Sequence, residues 1–189
     1  RRNSQDLKFV RALWANTDFI DNFHRLAPRL PEDDTQLASI LDSEYASTLS
    51  EANAIHWIVR DKHQKPWGLM SLTEVSWAHH RAELLIGVLP NAPTGLAPAA
   101  MLVMFQFYFK VMKFNKLVSM VYEDNMHSLK GALHLGFKEE GNLKHHLLDP
   151  RTGAYVSIKQ LGLFAEDAFS SGNAALTRRL LGAREKKSA

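Results

Sequence analysis

The chain of 189 residues contains no cysteine. Disulfides, iron–sulfur clusters, thiolate zinc sites and a cysteine nucleophile are therefore excluded. It also lacks a long apolar run. The longest nearly apolar stretch, residues 97–109, is interrupted by Pro98 and Gln106, and it falls short of the roughly 20 residues that span a bilayer. No signal-peptide pattern is present, so a cytoplasmic location and no membrane partner are expected. Charge of one sign is scarce too. Lys and Arg total 23 against 20 Asp and Glu, a formal +3. That excess is too small to argue for nucleic acid, and no nucleic-acid partner is expected. The nine histidines show no His-Glu-x-x-His spacing. The pairs His79-His80 and His145-His146 are adjacent, and neighbours on a strand face opposite ways. No metal is expected.

What is present suits one globular domain. A chain of this length can bury about 70% of its unfolded surface. Residues 5–26 predict an amphipathic helix, with a break and a fresh N-cap near Asn16-Thr17-Asp18. Pro28 and Pro31 stop it. A second helix is expected from Asp34, with Leu37, Ile40, Leu41 and Tyr45 at helical spacing. The pattern then switches to strands over 55–60, 67–77 and 81–89, an antiparallel meander. A helix follows from about Gly95 to Lys113. Met101, Leu102, Phe105, Tyr108, Phe109 and Met112 form its buried stripe. A strand over 117–122, a short helix over 128–135 stopped by Gly136, and strands over 137–147 and 154–163 complete the order. Asp149-Pro150-Arg151-Thr152-Gly153 is the turn between the last two. The tail from about Ala165 is expected to be helical, ending in the basic run 184–187.

Two motifs carry chemistry. The first is the strand–loop–helix at 83–110. Its loop reads Ala92-Pro93-Thr94-Gly95-Leu96-Ala97, with Pro98 opening the helix. A loop of small residues at a helix N-terminus offers unpaired N–H groups and the positive end of the helix dipole to an anion. The second runs from Asn125-Met126-His127-Ser128 to Leu135-Gly136-Phe137 and Glu140-Gly141. Together with the element order, these resemble the GNAT N-acetyltransferase superfamily over roughly residues 4–164. The stretch Phe9–Asn16, with Trp14 followed by Asn16, resembles the ribosomal-protein and nucleotide-sugar branch.

The resemblance implies an α/β (α+β) GNAT fold, a mostly antiparallel mixed sheet flanked by helices and splayed between the family's fourth and fifth strands. It implies one domain over 1–164 and a helical extension with a basic tail over 165–189. The family's first strand is expected before Ser4, absent here or reduced to a remnant. The implied reaction moves an acetyl or longer acyl group from acetyl-CoA to a primary amine by direct attack. The acceptor would be a small-molecule or peptide amine: a nucleotide-linked amino sugar, a protein N-terminus or a small metabolite. The implied cofactor contacts are Leu89, Thr94, Gly95, Leu96, Ala97, Pro98, Asn125 and Ser128. Exposed backbone N–H groups near 86–89 and 120–122 would hold the thioester oxygen.

Glu83 stands near a family position that often holds the base, or it is an exposed strand residue paired with Arg81. The family's usual acid is a Tyr four residues before the Gly of Leu-Gly-Phe; Ala132 stands there. Tyr122 is then the candidate acid, with His134 as another. Trp14, Asn16, His24, His79 and His146 are candidates for the acceptor side, Trp14 equally as core. Ala92 stands where the family loop has Arg or Gln. These two departures leave open a degenerate coenzyme A sensor or partner-binding module. A monomer or a homodimer is expected.

Overall fold

The computed structural model describes residues 1–149 and 152–182. The turn residues Pro150 and Arg151 and the basic run 184–187 lie outside them.

The N-terminal apolar periodicity resolves into two helices. After a 3-10 turn over Ser4–Asp6, α1 spans Leu7–Ala15 and α2 spans Thr17–Phe23. The break falls at Asn16, whose side chain accepts from the Phe19 N–H and so caps α2. Helix α3 covers Asp34–Ala46, capped by Asp33 through the Thr35 N–H. The meander follows as β1 (Ile55–Arg60), β2 (Pro66–Ser76) and β3 (Arg81–Val88), paired antiparallel. Where the family has a strand before Ser4, the Arg2 N–H donates to His56 O at 3.0 Å.

The expected helix to Lys113 changes winding part-way. Helix α4 spans Leu96–Phe105, and a π-helical turn spans Gln106–Val111. The wider turn sends Tyr108 and Phe109 into the core side by side, edge to face at 5.0 Å. The Tyr108 hydroxyl then donates to Lys116 O at 2.6 Å. Next come β4 (Lys116–Tyr122), α5 (Met126–His134), β5 (Lys138–Leu148), β6 (Tyr155–Phe164), α6 (Ala165–Ala168) and α7 (Ser171–Leu181). Gly136 ends α5 with φ +99°, a conformation that favours glycine.

The six strands run in the order β1-β2-β3-β4-β6-β5. All neighbours are antiparallel except β3 and β4. Strand alternation separates two cores. Ala82, Leu84, Leu117 and Val121 join Met101, Leu102, Phe105 and Leu129 on one face, under α4, α5 and α7. Leu69 joins Leu13 and Phe19 on the other, under α1 and α2. The fold is therefore three layers, α/β/α.

Helix α7 is pinned at its start by Asn173, which is 5% exposed. Its amide donates to Leu135 O at 2.8 Å and Ala168 O at 3.1 Å. Removing it strands two buried carbonyls. Asn173→Ala is expected to lose about 1–3 kcal/mol, read as a fall in melting temperature of roughly 2–4 °C per kcal/mol. An unchanged melting temperature would detach α7 from the core.

Candidate active site

Strands β3 and β4 pair for three residues only: Arg81 with Lys116, Ala82 with Leu117, Glu83 with Val118. Each then continues alone on its inner edge. On the outer edges β2 follows β3 to Val88, and β6 follows β4 to Tyr122. A wedge opens between Leu84–Val88 and 119–122.

Glu83 stands at the apex. The Met120 N–H across the wedge lies near enough to its carboxylate to favour the charged form slightly. Burial, reinforced by the charge of Glu74, pushes its pKa from 4.5 up to about 7, against the opposing pull of Arg81 and the Met120 N–H. The direction of backbone N–H groups alternates along a strand. The Glu123 N–H donates to Ser157 O beside β6, so the Met120 and Tyr122 N–H groups face the wedge. On β3 the Leu89 N–H donates to Trp67 O at 2.8 Å, so odd residues bond β2. The N–H groups of Ile86 and Val88 face the wedge. The Leu89 N–H serves the sheet, so among residues 86–89 the donors facing the wedge are those of Ile86 and Val88.

Helix α2 roofs this face. The rings of Phe19 and Phe23 stack at 5.3 Å. A Cβ built on Gly87 would meet Phe19 at 2.8 Å and Phe23 at 3.0 Å. A lone glycine inside a strand signals such a close approach, and this signal in the sequence was missed. At the other side of the wedge, the chain after α2 clamps β4. The Arg25 N–H donates to the Tyr122 hydroxyl at 3.0 Å, and the guanidinium lies 4.2 Å from the Tyr122 ring centroid. The same guanidinium pairs with Asp124 at 2.6 and 2.8 Å and approaches Asp149 at 3.9 Å. The clamp has no local sequence signal, since Tyr122, Asp124 and Asp149 lie about a hundred residues from Arg25.

Tyr122 accepts from Arg25, which leaves its own proton to donate. Burial raises its pKa, with Glu83 and Asp149 adding to the rise against Arg25. It is protonated at neutral pH. His24 lies beside Arg25 with a buried Nδ1 that has no hydrogen-bond partner among the described residues. Burial lowers its pKa, so the ring is neutral.

The phosphate-type loop is well formed. Gly95 caps α4 with φ +83°. The Leu96 N–H bonds Pro93 O and the Ala99 N–H bonds Gly95 O. Pro98 has no N–H. The N–H groups of Thr94, Gly95 and Ala97 have no partner among the described residues. A loop with free donors and a helix N-terminus behind it fits a phosphate.

The other candidates divide. Asn125 caps α5 by accepting from the Ser128 N–H, and its amide donates to Asn22 O at 3.4 Å. It ties α5 to α2, with a second amide hydrogen spare. Ser128 stands in the first turn of α5. Asn16 is engaged as the α2 cap. Trp14 packs on the α1–α2 core while its indole donates to Pro28 O. His79 sits in the turn before β3, at the closed end of the wedge, and His146 is exposed on β5. The structure does not bring these two to Glu83. Among the described residues no three His, Cys, Asp or Glu are grouped to hold a metal, and no helix is long and apolar enough to cross a membrane.

A parallel strand pair split above a carboxylate, beside an anion-binding strand–loop–helix, defines an acyltransferase of the coenzyme A-dependent class. Residues 2–138 match the acetyltransferase (GNAT) domain family. The chain belongs to that family, and with it to the acetyl-CoA-dependent N-acetyltransferases. The fold is similar to that of spermidine N-acetyltransferase from Vibrio cholerae in complex with CoA and spermine. The TM-score is 0.76 at 20% identity, over 90% of this chain and 96% of that one. A single-substitution variant of the Vibrio cholerae enzyme matches with TM-score 0.72 at 19% identity, over 89% and 93%. No curated protein matches the chain.

The proton count at Glu83 sets a pH dependence. Below about pH 4.5 the group is protonated in both folded and unfolded chains. Between there and about pH 7 the folded chain holds more protons. Stability present at low pH is therefore lost as pH rises through that window. Melting temperatures from pH 4.5 to 8 should show Glu83→Gln gaining on wild type as pH rises. Parallel curves would put Glu83 in solvent.

Proposed function

We propose that this chain acetylates a primary amine by direct attack in the wedge, with Glu83 as base and Tyr122 as acid. Acetyl-CoA supplies an acyl carbon activated as a thioester. Gly95, Leu96 and Ala97, with Thr94 and Pro98, hold the pyrophosphate at the α4 N-terminus. Asn125 and Ser128 flank the pantetheine. The N–H groups of Ile86 and Val88 bind the acyl oxygen as negative charge develops on it.

The observation that carries this reading is Glu83. An amine must be neutral to attack, and the most effective base has a pKa near the working pH. Glu83 has one near 7 and stands where the two strands part. It takes the proton from the ammonium or from the attacking amine, directly or through water. Tyr122 is protonated and returns a proton to the leaving thiolate. This assigns to β4 the acid that the family places at position 132, where this chain has Ala.

The acceptor is a small-molecule or peptide amine entering beside α1 and α2. Trp14 forms a wall and His24 offers its unpaired Nδ1 to an amine hydrogen. The solved relatives are named for spermidine. A polyamine therefore joins a nucleotide-linked amino sugar and a peptide N-terminus in the panel to be scored by thiol release. The expected result is turnover with at least one amine, with kcat/KM rising through about pH 7. Glu83→Gln should lower kcat by roughly a hundredfold or more, with KM for acetyl-CoA near wild type. Coenzyme A binding without thiol release from any amine would make this a sensor. Wild-type kcat in Glu83→Gln would remove Glu83 from the chemistry.

A further inference from the structure

Tyr122 ends β4, and its hydroxyl accepts the Arg25 backbone N–H at 3.0 Å. Among the described residues that hydroxyl donates to no acceptor. A phenol oxygen that accepts one bond keeps its own proton for another partner. The guanidinium of the same Arg25 lies 4.2 Å from the ring centroid. One residue thus meets the phenol twice, at the oxygen with its backbone and at the ring with its charge.

The guanidinium is itself held from three sides. Its Nε donates to Asp21 O, one turn back along the chain, at 3.0 Å. Its Nη2 donates to both Asp124 oxygens at 2.6 and 2.8 Å, and its Nη1 lies 3.9 Å from Asp149 Oδ2. The arginine side chain is 10% exposed and that of Asp149 4%. The charge is therefore fixed over the ring and does not swing into solvent, at the cost of its rotamer freedom.

The phenol stands among groups that resist a negative charge on it. Burial does so first, and the charges of Glu83 and Asp149 add to it. Arg25 acts the other way, through its backbone N–H and through its cation. When the phenol gives up its proton, its oxygen becomes negative. A hydrogen bond to a charged acceptor is roughly twice as strong as one to a neutral acceptor, and the pull of the cation grows likewise. Both contacts therefore strengthen as the proton leaves. Contacts that strengthen on the way to the transition state speed a step, whereas constant ones only bind.

We infer that Arg25 is the positioning residue of the acid: it turns the Tyr122 proton outward to the leaving thiolate and steadies the phenolate that remains. This rests on Tyr122 being the acid, as proposed above. In the step, the amine nitrogen bonds the acyl carbon and the carbon–sulfur bond breaks with its electron pair on sulfur. The Tyr122 O–H bond then breaks, and its proton goes to that sulfur. The phenolate takes a proton back from water, and Glu83 releases to water the one it took from the amine. A purely structural Arg25, tying the chain after α2 to β4, would be indifferent to the Tyr122 oxygen.

The test is a double-mutant cycle on kcat, with the amine that the panel selects. Tyr122→Phe keeps the ring, and with it the cation contact, and removes only the hydroxyl. Arg25→Gln should lower kcat about tenfold when Tyr122 is present, with KM for acetyl-CoA near wild type. In Tyr122→Phe the same change should cost less than about twofold. Arg25→Lys keeps the charge and should recover part of the loss. Asp124→Asn is the milder variant, loosening the guanidinium without removing it, and its smaller loss should also vanish in Tyr122→Phe. Tyrosinate absorbance, taken as the difference between each protein and its Tyr122→Phe counterpart, reads the same coupling without turnover. Its midpoint should move to higher pH in Arg25→Gln, because the cation is gone while Glu83, Asp149, Asp124 and a neutral His24 remain. Equal losses in both backgrounds, or an unmoved midpoint, overturn the inference and leave Tyr122 as the acid. Wild-type kcat in Tyr122→Phe overturns the acid itself.

Discussion

Three paired residues on β3 and β4 decide what the rest of the molecule can do. After Glu83 and Val118 the two parallel strands stop bonding each other. An unpaired strand edge inside a protein is normally a liability, because each buried N–H and C=O needs a partner. Here both strands are held in place from outside, β3 by β2 and β4 by β6. The wedge is thus kept open by partners that do not line it. Its inner edges offer donors with no competing acceptor, which is what an acyl oxygen requires. A carboxylate stands at the apex and is partly desolvated there.

The roof covers the far end of β3. Phe19 and Phe23 lie almost on the β3 backbone, and only Gly87 lets them so close. On the β4 side Arg25 grips Tyr122 and Asp124, and Asn22 receives the Asn125 amide. The two grips are of different kinds. The aromatic contact is burial, so it persists at any salt concentration. The Arg25–Asp124 pair is well exposed at its carboxylate, so it contributes little net stability and chiefly fixes geometry.

Much of the fold was legible because local chemistry and tertiary packing agree. The strand meander, the cap at Asn16, the anion loop at Gly95 and the stop at Gly136 each rest on residues close in sequence. Glu83 was legible as a base only through resemblance; its raised pKa comes from burial and Glu74, which no pattern announces. Which N–H groups of residues 86–89 face the wedge was not legible, because strand parity decides it and that depends on the pairing with β2. The π-helical turn was missed because apolar spacing around Phe105, Tyr108 and Phe109 fits either winding. Arg25 was missed because Tyr122, Asp124 and Asp149 lie far along the chain.

The departures from the family pattern fall on side chains, and the features that survive are backbone. Ala92 removes a side-chain contact to phosphate, yet the free N–H groups of Gly95 and Ala97 do not depend on it. Ala132 removes a phenol from α5, yet a phenol stands on β4 as Tyr122. A degenerate site would be expected to lose what only catalysis maintains. A carboxyl held near pH 7 is such a feature, since desolvating it destabilises the fold at neutral pH. Binding coenzyme A alone makes no use of that carboxyl. A pKa raised to about 7 suits the proton transfer that an N-acetyltransferase carries out.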